Sequence, residues 1–216
     1  MTDDLIFREV DEDVRRDRME AALKKYGLYG IAAAVVVIAG VAGGVVWRDM
    51  QAEAQLDRGG RFEQALDLVT GNKPAEAAEI FEQLAAEVND TFQALAGQQA
   101  AAARAAAGDE KVALAAYDRL AANPDLPELQ RDLAAIKGAL IALRTDGADA
   151  ALQRLAPVAE GAGPFRNIAR EIKAGALVKK GDKPAAIAEL KALSEDATST
   201  ANQQRRVAEY LRALGG

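Results

Sequence analysis

Residues 181–190 read GDKPAAIAEL, a polar break that is followed at once by an apolar helical pattern. The break, from Gly181 to Pro184, contains the Gly and Pro that mark turns between helices. After it, Ala186 and Leu190 are four residues apart, which places them on one face of a helix. The stretch therefore predicts a tight turn that opens a new helix.

This pattern recurs along the chain at a nearly constant period. If Asn72, Gly108, Asp146 and Gly181 are taken as equivalent turn positions, their separations are 36, 38 and 35 residues. Each unit then has Ala seven residues before the turn and five after it, and a large apolar residue nine and twelve after it. The four columns are Ala65, Ala101, Ala139 and Ala174; Ala77, Ala113, Ala151 and Ala186; Phe81, Tyr117, Leu155 and Leu190; and Leu84, Leu120, Val158 and Leu193.

These columns predict an all-α fold, a solenoid of about four helix pairs. Ala stands where the two backbones of a pair come close, and large apolar groups stand where neighbouring pairs stack. After Arg48, strand-forming residues do not alternate with polar ones over any useful run. Beyond the fourth pair, one apolar stripe is formed by Val207, Tyr210, Leu211 and Leu214, as expected of a C-terminal capping helix. Residues 48–216 are therefore predicted to form one repeat domain.

Before this domain lies an apolar segment, residues 26–47, in which 22 consecutive residues carry no charge. As a helix it would be roughly 33 Å long, enough for the roughly 30 Å hydrocarbon core of a bilayer. Tyr26, Tyr29 and Trp47 stand where interfacial aromatics are expected. We therefore predict a single N-terminal transmembrane helix. The competing interpretations are a buried helix of a soluble protein, which would usually have a polar face, and a cleaved signal peptide, which would have a shorter apolar region and a basic leader.

Small residues within this segment predict a face for helix packing in the membrane. Gly40 and Gly44 are four residues apart, a spacing that lets a second helix approach closely, although a span so rich in Ala and Gly also contains such spacings by chance. Basic residues are more frequent just before the segment than just after it, so residues 1–25 are predicted to be a charged cytoplasmic tail. The protein would then be a single-pass protein of the bacterial inner membrane, with its repeat domain in the periplasm.

The composition excludes many kinds of active site. The chain has no Cys and no His, which rules out disulfides, thiolate or imidazole metal sites, and Cys-His or Ser-His catalytic pairs. Its carboxylates are spread as on solvated helix faces, without a recurring basic or nucleophilic partner. The formal charge of −6 does not indicate a nucleic-acid binder. We predict a non-enzymatic protein without catalytic residues, cofactor, metal or small-molecule substrate.

The predicted function is the binding of protein partners. In a solenoid, the first helices of the pairs line a groove in which a peptide or a partner domain buries apolar area. From their phase in the repeat, Gln98, Arg104, Lys137 and Lys173 are candidate partner-binding residues. The alternative from another class is an enzyme or a ligand receptor that uses a helical domain, for which the sequence offers no motif.

The spacing of the units and their small, small, aromatic pattern resemble tetratricopeptide repeats, although the first helices lack the Trp-x-x-Leu-Gly-x-x-Tyr signature. With its tail, span and four repeats, the chain also resembles the YfgM-like family, the ancillary subunit of the bacterial Sec translocon, above all at residues 90–96 and 174–183. That resemblance implies three partners: the Sec channel, a periplasmic folding factor and secreted chains. It also implies a role in folding or trafficking of secreted proteins, and a stress-regulatory role for the tail. The alternative is a repeat scaffold that coordinates cell division or outer-membrane assembly.

Overall fold

The computed structural model describes residues 39–87 and 91–215 and divides the chain into two compact units. The first unit is Met1–Asp57 and the second is Arg58–Gly216. All four turn positions found in the sequence fall in the second unit, so the repeats form one compact body.

In the first unit, the described residues 39–57 are helical, and nearly all their side chains are exposed. The predicted span, residues 26–47, lies outside the described residues except for its last part, residues 39–47. Among the helices that the described residues form, none has the length and apolarity to span a membrane. Gly40 and Gly44 lie on this helical segment, with open space where a Cβ atom would stand. Their packing against a second membrane helix stays a prediction.

The described part of the second unit contains nine helices and no strand, as the sequence predicted. Helices that are neighbours in sequence pack against one another, and short turns join them into four pairs followed by a single last helix. The helices are α1 (58–70), α2 (Pro74–Glu87), α3 (Thr91–Ala106), α4 (Glu110–Ala122), α5 (Glu128–Thr145), α6 (Ala148–Glu160), α7 (Arg166–Lys180), α8 (Lys183–Ser194) and α9 (Ala201–Leu214).

The turns within the four pairs share one backbone hydrogen bond. The residue after each predicted turn position donates its N–H to the carbonyl oxygen five residues earlier, as in a Schellman cap. Asn72, Gly108 and Gly181 have positive φ angles of 59°, 91° and 90°. In the third turn Asp146 has a φ of −110°, and the positive φ of 95° belongs to Gly147, whose ψ of −177° differs from the ψ of 2° at Gly181. The bonds run from Lys73 to Leu68, Asp109 to Arg104, Gly147 to Ala142 and Asp182 to Leu177, at 2.8–2.9 Å. The predicted turn positions are therefore confirmed.

Both predicted Ala columns lie in the core, where every member is at most 2% exposed. The two columns of large apolar residues are buried as well, apart from Leu120, which is half-buried. Gly138 also lets α5 lie close to α4, because a Cβ atom added to it would be only 3.3 Å from the Cβ of Tyr117 in α4. The all-α repeat predicted from the sequence is thus confirmed, and its register is the observed one.

The pairs stack so that their first helices form one layer. α3 contacts α5, and α5 contacts α7. α9 packs on α8 and is bonded to α7 through Arg206 and Glu171, so it takes the place of the first helix of a fifth pair. We call α1, α3, α5, α7 and α9 the first-helix layer, and α2, α4, α6 and α8 the second-helix layer.

The last helix caps the solenoid as predicted. α9 begins after Thr200, whose hydroxyl oxygen accepts a hydrogen bond of 3.3 Å from the N–H of Gln203. Val207 is fully buried, and Leu211 and Leu214 pack against the same apolar cluster at the end of the fourth pair. This helix therefore covers the apolar face that α7 and α8 leave open.

Candidate functional site

The first-helix layer carries large apolar side chains that the core does not use. In α7, Ile168, Ile172 and Val178 follow one helix face, and Ile168 and Val178 are each 43% exposed. The same layer exposes further residues of this kind, each by 39–47%: Leu66, Val69, Leu95 and Leu140. Where such side chains lie side by side on a folded domain, they mark an interaction site.

Three helices of this layer, α5, α7 and α9, enclose an open groove with a volume of about 570 Å³, which we call the terminal groove. From Ile168 to Val178, α7 rises about 15 Å, the length of about three turns of a bound helix or of four to five extended residues. The groove can therefore hold a short peptide segment. Its apolar wall is formed chiefly by Leu140, Leu143, Ile168, Ile172, Val178 and Tyr210.

Gly175 lies among the residues that line the terminal groove. A Cβ atom added to it would have no neighbour within 4 Å, so packing does not require a glycine there. The equivalent residue of α5, also six positions before its turn, is Leu140. The missing side chain therefore deepens the groove over α7.

The polar part of the groove wall is the ion pair between Glu171 and Arg206. The Glu171 carboxylate accepts two hydrogen bonds of 2.8 Å from Arg206 and one of 3.3 Å from Gln203. The hydrogen bond from Arg206 lowers the pKa of Glu171 although burial acts in the opposite direction. This carboxylate is therefore charged and paired at neutral pH. Among the described residues, no three His, Cys, Asp or Glu side chains form a group that could hold a metal ion.

Charge is distributed unevenly along the solenoid. Residues 58–127 contain 6 basic and 11 acidic residues, whereas residues 128–216 contain 14 basic and 11 acidic ones. The terminal groove lies in this second, basic part, and Arg144, Lys179 and Arg212 stand in the last turns of its three helices. A partner with acidic residues beside an apolar stretch complements this surface.

Two of the four predicted partner-binding residues, Gln98 and Lys137, line another cavity of about 450 Å³ in the same layer. The ammonium group of Lys137 lies 5.8 Å from the ring centroid of Tyr117. Burial lowers the pKa of Lys137 and raises that of Tyr117 to about 12. We call this the α3–α5 cavity, and it is lined by Phe92, Leu95, Gln98, Gln99, Gln130, Leu133 and Lys137.

The other two predicted residues, Arg104 and Lys173, are directed to the second-helix layer. Arg104 donates two hydrogen bonds of 2.7 Å to Glu82 of α2, and Lys173 forms an ion pair of 3.1 Å with Glu189 of α8. Neither residue lines the terminal groove or the α3–α5 cavity. The structure therefore brings Gln98 and Lys137 together and places Arg104 and Lys173 apart from them.

The apolar residues of the terminal groove are not among the partner-binding residues predicted from the sequence. A signal exists for two of them, because Leu143 and Val178 both stand three residues before their turns. The predicted partner-binding residues are polar, whereas the groove is lined by apolar positions of the same layer of helices.

A family model described as a tetratricopeptide repeat-like domain matches residues 22–215. No curated protein matches the sequence. Two solved structures from Podosopora anserina, described as putative kinesin light chain nearly identical TPR-like repeats, are similar in fold. The first has a TM-score of 0.53 and is matched over 92% of its own chain, and the second has a TM-score of 0.50 and is matched over 93% of its own chain. Each match covers 72% of this chain at 15% sequence identity. At this identity the likeness concerns the fold alone.

Proposed function

The chain belongs to the tetratricopeptide repeat-like domain family, and on that premise we propose that it is a membrane-anchored interaction protein. It binds protein partners through its first-helix layer at the periplasmic face of the Sec translocon, and it assists the folding or trafficking of secreted proteins. Repeat solenoids of this kind typically act as binding scaffolds, since stacking leaves an extended surface for a partner.

The terminal groove is the observation that carries the binding function. Ile168, Val178 and Tyr210 expose 43%, 43% and 51% of their surfaces around one concave site. Covering such side chains with the apolar face of a peptide removes them from water, which favours association. The occupant is a short apolar segment of a protein, helical or extended.

The membrane anchor, the periplasmic location and the Sec association rest on the amino-acid sequence. They draw on the uncharged residues 26–47, on the basic residues that precede them, and on the resemblance to the YfgM-like family. A chain that leaves a translocation channel exposes apolar segments before it folds, and an apolar groove suits such clients. In this proposal, Gly40 and Gly44 pack against a membrane helix of the partner.

Site-specific photo-crosslinking in cells that express the full chain tests this function. A photoreactive residue in place of Tyr210 is expected to capture Sec-channel subunits, a folding factor or secreted chains. The matched control replaces Leu129, which is equally exposed at 51% but does not line the terminal groove. Capture of division or outer-membrane assembly proteins alone would favour the alternative scaffold, and equal capture from both positions would argue against the groove.

The orientation has its own test. A reporter that is active only in the periplasm, fused after Gly216, is expected to be active. If the reporter behaves as a cytoplasmic protein, the positive-inside argument fails, and the periplasmic partners fail with it.

A further inference from the structure

A single charged side chain, that of Lys137 in α5, lines the α3–α5 cavity. The other lining residues are uncharged: Phe92, Leu95, Gln98, Gln99, Gln130 and Leu133. Lys137 forms no hydrogen bond or ion pair with the residues that the structure describes. A lysine that lies partly out of water is normally paired with an acceptor, so this ammonium group lacks its counter-ion.

The repeat does not require a cation at this place. Lys137 stands nine residues before the turn position of its pair, and the equivalent residues of the other pairs are Glu63, Gln99 and Ile172. The ammonium nitrogen lies 5.8 Å from the ring centroid of Tyr117. That ring attracts the charge but accepts no ordinary hydrogen bond, so the three N–H donors of Lys137 remain available to a ligand.

The polar groups that a ligand can reach in this cavity are chiefly donors. The side-chain oxygen atoms of Gln98 and Gln130 each expose less than 1 Å² and are therefore closed to a ligand. The Nε2 of Gln98 donates a hydrogen bond of 3.3 Å to the backbone carbonyl oxygen of Gln130, which fixes its amide. Gln99 is half-buried, and its amide can turn an N–H toward a ligand beside Lys137.

The rest of the cavity wall is apolar. It is formed by Phe92, Leu95 and Leu133, and Leu95 exposes 47% of its surface. The volume of about 450 Å³ lies within the roughly 300–1,000 Å³ typical of sites for small ligands. An inorganic anion would leave this wall exposed to water, and an uncharged hydrocarbon would leave the ammonium group without a partner. The matching ligand therefore has an anionic group and an apolar part.

We infer that the α3–α5 cavity binds an anionic amphiphile, whose charged group pairs with Lys137 and whose apolar chain covers Phe92, Leu95 and Leu133. Burial lowers the pKa of Lys137 in the free protein, and an anion beside it offsets this effect because an opposite charge favours the ammonium form. Fatty-acid carboxylates and anionic phospholipids share this chemistry. The cavity and the terminal groove have no lining residue in common, so the inference does not rest on the proposed function.

Substituting Lys137 separates the charge from the apolar wall. Lys137→Met keeps an unbranched side chain and removes the ammonium group, so the free protein should keep its melting temperature. Binding of a carboxylate should weaken about tenfold, the effect of losing one hydrogen-bonded charge, whereas binding of the corresponding alcohol should not weaken. The matched control is Lys191→Met, the same change at an exposed residue of α8 outside the cavity.

A second variant reaches the same end without removing the lysine. Leu95→Glu changes a side chain that is 47% exposed, so the core should stay intact. The new carboxylate shares the cavity with Lys137, repels an anionic ligand and competes for the ammonium group. It should weaken carboxylate binding about as much as Lys137→Met does.

The probes are decanoate and decanol that carry a photoreactive diazirine at the end of the chain, added to the full chain in phosphatidylcholine nanodiscs. Mass spectrometry of the labelled peptides locates the site. Because each probe is compared between variants in the same nanodiscs, its partition into the lipid cancels. Adding phosphatidylglycerol distinguishes the two sources of the ligand, since a phospholipid occupant would then displace the decanoate probe and a free acid would not be affected.

Support is labelling of α3 and α5 by the decanoate probe that falls about tenfold in Lys137→Met and stays unchanged in Lys191→Met, with no such fall for the decanol probe. Equal labelling of Lys137→Met and the unmodified protein by the decanoate probe would overturn the inference, as would labelling confined to other helices. Crosslinking from position 210 would still test the proposed function in either case, because it reports on the terminal groove.

Discussion

The carboxylate of Glu171 in α7 accepts two hydrogen bonds of 2.8 Å from the guanidinium group of Arg206 in α9, across 35 residues of sequence. These two hydrogen bonds hold α9 beside α7, where the first helix of a fifth pair would lie. Tyr210 and Leu214 of α9 then form one side of the terminal groove. The capping helix therefore has two roles, since it closes the core and completes the candidate binding site.

Acid should weaken the contact between α9 and α7. Because the hydrogen bond from Arg206 holds the pKa of Glu171 below its ordinary value of 4.5, the bond stabilises the folded state fully above that pH. Its contribution is lost as the pH falls through the lower pKa of the folded protein. Hydrogen exchange of α9 amides, corrected for intrinsic rates, should accelerate on acidification and do so less in Glu171→Gln. An identical acid response of both proteins would contradict the assignment.

Filling the terminal groove should separate stability from binding. Gly175→Leu introduces a side chain into open space, and replacing a glycine within a helix should stabilise the fold by about 0.5–1 kcal/mol. The same side chain occupies the groove, so crosslinking from position 210 should fall. Thermal unfolding and crosslinking yield measure the two effects. The control is Ala102→Leu at the equivalent position of α3, outside the groove. If this control lowers the crosslinking yield as much, filling the groove does not explain the loss.

Enlarging a residue of the Ala columns should destabilise the solenoid. Ala139 is fully buried where α5 approaches its neighbours, so Ala139→Leu should cost about 1–3 kcal/mol through overpacking. Denaturant-induced unfolding of the full chain measures this cost. Ala115→Leu, at an exposed position of α4, should change stability little. Equal costs at the two positions would mean that close packing does not explain the column.

Alkaline pH should weaken the core at α4. Burial raises the pKa of Tyr117 from 10 to about 12, so the unfolded chain loses this proton before the folded chain does. Stability should therefore fall as the pH rises through this interval, by at most about 3 kcal/mol from this group. Denaturation midpoints at both ends of the interval measure the loss, and Tyr117→Phe should lack this part of it. An unchanged loss in the variant would assign the effect to other groups.

The repeat could be predicted because its signals are local and recur. Ala139 allows two helices to pack closely, and Gly147 allows the turn between the helices of one pair. Both requirements arise again in each helix pair, so the same residue types return at the same spacing. The candidate site could be predicted only in part. All four predicted residues lie on first helices, where Gln98 and Lys137 share a cavity, whereas Arg104 and Lys173 pair with the second-helix layer. Their binding of a partner stays a prediction.

By itself, then, the amino-acid sequence determined the all-α class, the four helix pairs, their register and the capping helix, since these follow from periodic apolar positions and turn residues. The tertiary structure alone decided which apolar residues stay outside the core. Leu140 and Ile141 are neighbours of similar apolarity, yet Leu140 is 40% exposed and Ile141 is 4% exposed. The difference arises because α5 packs against α4 and α6 on one side and borders the terminal groove with α7 and α9 on the other. That groove exists only where helices distant in sequence meet.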